Sequence, residues 1–143
     1  MRFIEFMIDW NSKVQVNRLT HKVIGCAMEV HRQIGCGFQE VIYQRALAIE
    51  FRLTDIFFER EKSMSIFYKE ESIGERRVDF LVENGLLVEL KAVEQTIPVH
   101  FAQAINYCEA FELPHGLLLN FGSSKLQFNR VFNNRLTSKW EPE

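Results

Sequence analysis

Asp79, Glu89 and Lys91 fall in one short stretch, Arg76 to Lys91, whose other residues are largely apolar. Val78, Phe80 and Val82 alternate with Asp79 and Leu81, Asn84-Gly85 marks a turn, and Leu86, Val88 and Leu90 alternate with Leu87, Glu89 and Lys91. That period of two predicts a β-hairpin. Register decides whether the charged groups meet, because a slip of one residue sends every side chain to the opposite face. A two-residue Asn-Gly loop would set Asp79 against Leu90 and Phe80 against Glu89, mixing charge with hydrocarbon on both faces. A three-residue loop of Glu83, Asn84 and Gly85, with Gly85 in the left-handed conformation, sets Asp79 against Glu89 and Val78 against Leu90. One face then carries Val78, Phe80, Val82, Leu86, Val88 and Leu90, a set that belongs in a core. The other carries Asp79, Glu89 and Lys91.

Two carboxylates facing each other across neighbouring strands repel, and the pairing is destabilising unless something compensates. A divalent cation would do so: hard oxygen ligands converging on one point suit Mg²⁺ or Mn²⁺. Lys91 projects on the same side two residues beyond Glu89, where an ammonium can orient or activate a water. The same residues would also make an ordinary solvated ladder in which Lys91 pairs with a carboxylate, an arrangement of small energetic value.

The elements that must hold these groups follow from the rest of the pattern. Thr20 is placed to cap a helix in which Val23, Ile24, Ala27, Met28, His31 and Ile34 recur at helical spacing, ended by Gly35-Cys36-Gly37. A second helix is expected from about Phe38 to Leu53, with Glu40 in its first turn, where the helix dipole favours a carboxylate. A strand from Phe57 to about Tyr68, a turn at Lys69-Glu70-Glu71 and a strand from Ser72 lead into the hairpin. Pro98 opens a helix running to Phe111, which puts Gln103 and Tyr107 on one face. Strands at Gly116–Asn120 and Leu126–Phe132 follow. The order implies an α/β (α+β) fold, with helices on a mixed sheet, because the chain after Lys91 must cross over through a helix before the next strand can pair. Residues 1–18 and the polar tail 133–143 are expected to lie outside the core.

A chain of 143 residues with 47% hydrophobic and 25% charged residues is one globular domain. Its 17 Lys and Arg against 19 Asp and Glu give a net charge of -2, which excludes a protein that coats nucleic acid through a uniformly positive surface. Cys26, Cys36 and Cys108 lack ligand spacing and read as reduced packing residues. No apolar run approaches the length of a membrane span, so a cytoplasmic location without membrane contact is expected.

Taken together, Gly37-Phe-Gln-Glu40-Val-Ile-Tyr43, Asp79, Glu89-Leu90-Lys91 and Gln103-x-x-x-Tyr107 resemble, in order and spacing, the GxxExxY family of the PD-(D/E)XK nuclease superfamily, over roughly Leu19 to Val131. Val78 stands where the superfamily pattern has Pro. The resemblance implies a restriction-endonuclease-like core and metal-dependent hydrolysis of phosphodiester bonds in nucleic acid, DNA foremost. It implies Asp79 and Glu89 as ligands of Mg²⁺ or Mn²⁺, the backbone carbonyl of Leu90 as a third oxygen, and Glu40 as a direct or water-mediated ligand. Lys91 would position or deprotonate the nucleophile, and Gln103 and Tyr107 would line the site. Many nucleases of this fold pair their subunits, so a homodimer is compatible with it.

Each of these residues also has a plainer role open to it. Glu40 could serve only the helix start, and Gln103 and Tyr107 could be a solvated pair. Gly37 and Tyr43 read as structural, for the turn and for packing. Of the four histidines, His21, His31, His100 and His115, His100 alone lies where it could meet substrate, and Arg76 and Arg77 flank the site. Two further functions compete with a nuclease: a catalytically silent nuclease-fold module in a DNA-processing or defence assembly, and an enzyme acting on a small phosphorylated molecule.

Overall fold

The computed structural model describes residues 7–137. In chain order the elements are α1 (Lys13–Ile34), α2 (Glu40–Leu53), β1 (Phe58–Tyr68), β2 (Glu71–Val82), β3 (Leu86–Lys91), α3 (Pro98–Ala110), β4 (His115–Asn120) and β5 (Gln127–Phe132). The five strands make one sheet in the order β1-β2-β3-β4-β5. Neighbours are antiparallel except β3 and β4, which run parallel with Lys91 beside Asn120 and are joined through α3. This is the expected mixed sheet with flanking helices, and it has the form of a PD-(D/E)XK, restriction-endonuclease-like core.

The helices divide the hydrocarbon into two layers. On one face of the sheet α1 and α2 bury Val23, Ala27, Tyr43, Leu47 and Phe51 against Phe80, Val82, Leu86, Val88, Leu90, Leu117 and Leu119. On the other, α3 buries Ala104 and Cys108 against Leu81, Leu87 and Val131. Strand β3 is thus covered on both sides, which explains its nearly unbroken apolar sequence. Val78 departs from the expected face: it packs with Leu81 and Leu87 under α3, beyond the point where the β2–β3 ladder stops at Phe80 opposite Val88.

The hairpin has the expected three-residue loop and register, with Phe80, Leu81 and Val82 opposite Val88, Leu87 and Leu86. Its turn chemistry is different. Glu83 (φ 51°) and Asn84 (φ 60°) take the left-handed conformation in place of Gly85, and the Gly85 amide donates to the Val82 carbonyl at 3.1 Å, the pattern of a type I′ turn. Gly85 is required for another reason: a Cβ there would overlap the ring of Trp10.

Three boundaries are also corrected. Helix α1 begins at Lys13, capped by the Ser12 side chain, which accepts from the Gln15 amide. Thr20 lies inside the helix, its hydroxyl donating to the Val16 carbonyl at 2.8 Å. Of the residues expected outside the core, Val16 is buried and Ile8 and Trp10 pack against the larger cluster, while residues 1–6 lie outside those described. At the other end Asn133 is buried, its side chain donating to the Cys108 carbonyl and its amide to that of Pro114; residues 138–143 lie outside those described. Cys26 and Cys108 are buried packing residues as expected, but Cys36, in the short α1–α2 connection, is exposed.

Candidate active site

Helix α2 owes its starting point to two glycines and a tyrosine. Gly35 (φ 69°) and Gly37 (φ 108°) occupy backbone conformations that L side chains rarely adopt. Tyr43, fully buried and stacked on Phe121 with ring centroids 4.7 Å apart, donates its hydroxyl hydrogen to the Gly35 carbonyl at 2.6 Å and accepts from the Phe38 amide at 3.2 Å. The loop is thereby stitched to the helix it precedes. Glu40 falls in the first turn, and Gln44, four residues later, lies on the same helix face.

Where the β2–β3 ladder ends, side chains take over the bridging between strands. The Asp79 amide donates to Glu89 Oε1 at 3.0 Å, and the Leu90 amide donates to Asp79 Oδ2 at 2.9 Å. Each carboxylate reaches across to the backbone of the other's strand. The remaining oxygen of Asp79, Oδ1, accepts from Gln44 Nε2 at 2.8 Å, so α2 and both strands meet at this one residue.

The four expected charges share one electrostatic environment. Burial is the main cause that pushes the Glu89 carboxyl up to about 8, followed by repulsion from Asp79, with a smaller contribution from Glu40; the Asp79 amide and Lys91 oppose it. Asp79 is raised by burial against the pull of the Leu90 amide, Gln44 and Lys91. Glu40 is raised by burial and then by Asp79, again with Lys91 opposing. Desolvation thus dominates all three, and each resists ionisation.

The fourth charge is placed by α3. Lys91 Nζ donates to Gln103 Oε1 at 3.4 Å, and Gln103 Nε2 donates to the Tyr107 hydroxyl at 3.2 Å, a relay along one helix face. His100 caps the start of α3, its Nδ1 accepting from the Ile97 amide at 3.1 Å. Arg76 and Arg77 are exposed on β2, Arg76 donating to the Glu75 carbonyl.

Two neighbours of Asp79 escape a reading of the sequence for motifs. Gln44 was identifiable only as the residue one turn after Glu40. Glu61, on β1 beside Asp79 in the sheet, adds to the repulsion on that carboxylate from an unusual backbone conformation (φ 52°).

Among the described residues no three His, Cys, Asp or Glu side chains converge closely enough to hold a cation as they stand; Asp79 and Glu89 accept from backbone amides. The donor set nevertheless fits a hard divalent ion. Three carboxylates from three elements are held where burial and mutual repulsion oppose their charge, and a cation would relieve both.

No helix among the described residues is long and apolar enough to cross a membrane. The crystal structure of SSO0001 superposes on this chain with a TM-score of 0.52 at 16% sequence identity, covering 70% of this chain and 56% of that one, a likeness of fold. This chain therefore spans little more than half the length of that protein. No curated protein matches the sequence. The family model of the PD-(D/E)XK nuclease superfamily matches residues 17–131, the span that contains Glu40, Asp79, Glu89 and Lys91, and the chain belongs to that superfamily.

Proposed function

We propose that the chain is a Mg²⁺- or Mn²⁺-dependent nuclease of the GxxExxY branch, hydrolysing phosphodiester bonds in nucleic acid, DNA foremost. The observation that carries this reading is the meeting of Asp79 and Glu89 across the splayed ends of β2 and β3, with Glu40 and Lys91 in the same electrostatic environment. Asp79, Glu89 and Glu40 are the side chains that would hold the ion. Leu90 adds a backbone oxygen, because an extended residue points its amide and carbonyl towards the same neighbouring strand, and the Leu90 amide points at Asp79. A bound divalent ion would supply Lewis-acid polarisation of the phosphoryl group and a lowered pKa for water. The chain itself supplies orientation. Lys91, steadied by Gln103, holds an ammonium beside the carboxylates, where it can donate to the nucleophile or to the charge that develops on phosphorus oxygens. Tyr107 fixes the rotamer of Gln103 in turn. With a net charge of -2, the grip on the phosphate backbone is local.

A second reading is favoured by the amide hydrogen bonds themselves. Asp79 and Glu89 already tie β2 to β3 without an ion, as they would in a module that keeps the nuclease fold for binding or regulation. Incubation with single- and double-stranded DNA and RNA in Mg²⁺ or Mn²⁺ separates the two. Cleavage that Asp79→Ala and Lys91→Ala each reduce by about 100-fold or more supports the nuclease. Cleavage unaffected by both changes, or Mn²⁺ titrations without binding, would reject it.

A further inference from the structure

Gln44 is 4% exposed and belongs to no motif in the sequence, yet it touches the centre of the site. Its two polar atoms have different fates. Nε2 donates to Asp79 Oδ1 at 2.8 Å, whereas Oε1 is buried without a hydrogen-bond partner among the described residues. Turned round, the amide would set Oε1 against an ionised Asp79, acceptor against acceptor, and could pair only with the protonated acid. A buried carbonyl oxygen of this kind is costly and calls for a donor. The hydrogen bonds around Asp79 do not supply one: Glu89 Oε1 accepts from the Asp79 amide, and Lys91 donates to Gln103. Oε1 sits on the same amide group as the atom that grips Asp79, so a donor that pairs with it also fixes the group that holds that carboxylate.

We propose that Gln44 is a positioning residue of the cation site: its Nε2 holds Asp79 in orientation, and its Oε1 accepts a hydrogen bond from a water that a divalent cation carries in. Mg²⁺ and Mn²⁺ enter protein sites with part of their hydration shell retained, and partners beyond the direct ligands are what orient those ligands. The inference rests on the metal-dependent reading and extends it to a residue outside the motif. Gln44 then acts through Asp79 and water, without touching substrate.

Mn²⁺ binding measured by calorimetry, together with melting temperatures in chelator and in Mn²⁺, tests it. The parent chain binds Mn²⁺ and Asp79→Ala does not. Gln44→Met, which keeps the volume and removes both polar atoms, weakens Mn²⁺ binding by about 10- to 100-fold. Gln44→Glu keeps an acceptor but sets a second carboxylate against Asp79, so it melts lower in chelator and gains more from Mn²⁺ than the parent does. Gln44→Met binding Mn²⁺ as tightly as the parent overturns the proposal. Should Gln44→Met fail to fold, Gln44→Glu decides alone: a melting loss that Mn²⁺ leaves in place overturns it. A parent chain that binds no Mn²⁺ removes the underlying reading as well, an outcome distinct from a parent that binds and a Met variant that is unaffected.

Discussion

Glu89 sets stability against the proposed metal-binding role in one side chain. It is 8% exposed, and its carboxyl is raised to about 8, burial first and Asp79 second among the causes. Around neutral pH in the absence of a cation the fold therefore favours the protonated acid. Glu89→Gln imitates that form, so the variant is expected to melt higher than the parent at pH 9 in chelator and to lose Mn²⁺ binding; parallel melting and calorimetry check both halves. Tyr43 shows the opposite case, a motif residue whose work is structural. Tyr43→Phe keeps the stack on Phe121 but removes the bonds to Gly35 and Phe38. The expected loss is about 1–3 kcal/mol by denaturant unfolding, and it reaches the site only through the start of α2.

Among the elements, β3 depends on a buried amide that stands opposite its last residue. Asn120 is fully buried and meets every demand of its side chain: Oδ1 accepts from the Val93 and Gly122 amides at 3.0 and 3.1 Å, and Nδ2 donates to the Val93 carbonyl at 2.9 Å and to Gln127 Oε1 at 2.8 Å. Backbone pairing resumes alongside, with the Phe121 amide donating to the Lys91 carbonyl at 2.9 Å. The chain leaving Lys91 is held as though the sheet continued. Asn120→Leu strands the Val93 and Gly122 groups in a dry environment, with an expected loss of about 2–5 kcal/mol in urea unfolding, the sum of several unmade buried bonds. The hairpin loop gives a milder test. Gly85→Ala drives a methyl into Trp10, so a loss of about 1–3 kcal/mol is expected from overpacking, with a shift of tryptophan fluorescence.

For the whole molecule, the three raised carboxyls set the pH dependence of stability. Glu40, Asp79 and Glu89 all bind protons more tightly in the fold than in the unfolded chain. Their favourable contribution is complete below the ordinary carboxylate range and is lost as pH rises through the folded values, up to about 8 for Glu89. The melting temperature in chelator should therefore fall between pH 5 and pH 9. The limiting slope is about 1.4 kcal/mol per pH unit for each proton released. Saturating Mn²⁺ should flatten that slope, because a bound cation favours the ionised form. A profile in chelator that rises over this range would contradict the electrostatic account of the site.

What could be read from the sequence was whatever local geometry fixes. Alternation from Val78 to Lys91 set the strands, coherent faces chose a three-residue loop, Pro98 opened a helix, and Glu40, Asp79, Glu89, Lys91, Gln103 and Tyr107 stood in an order that matched a superfamily. The tertiary structure decided what depends on contacts between distant segments. Trp10 explains Gly85, a clash that no pattern within the hairpin reveals, and Val78 joins the cluster under α3. Asn133, polar and near the end of the chain, is drawn inside by the carbonyls of Cys108 and Pro114. Above all, the pairing of Gln44 with Asp79 joins positions that are close only once α2 lies on the sheet. Helix and strand periods are properties of a few neighbouring residues, whereas the partner of a buried polar atom is settled by how whole elements pack.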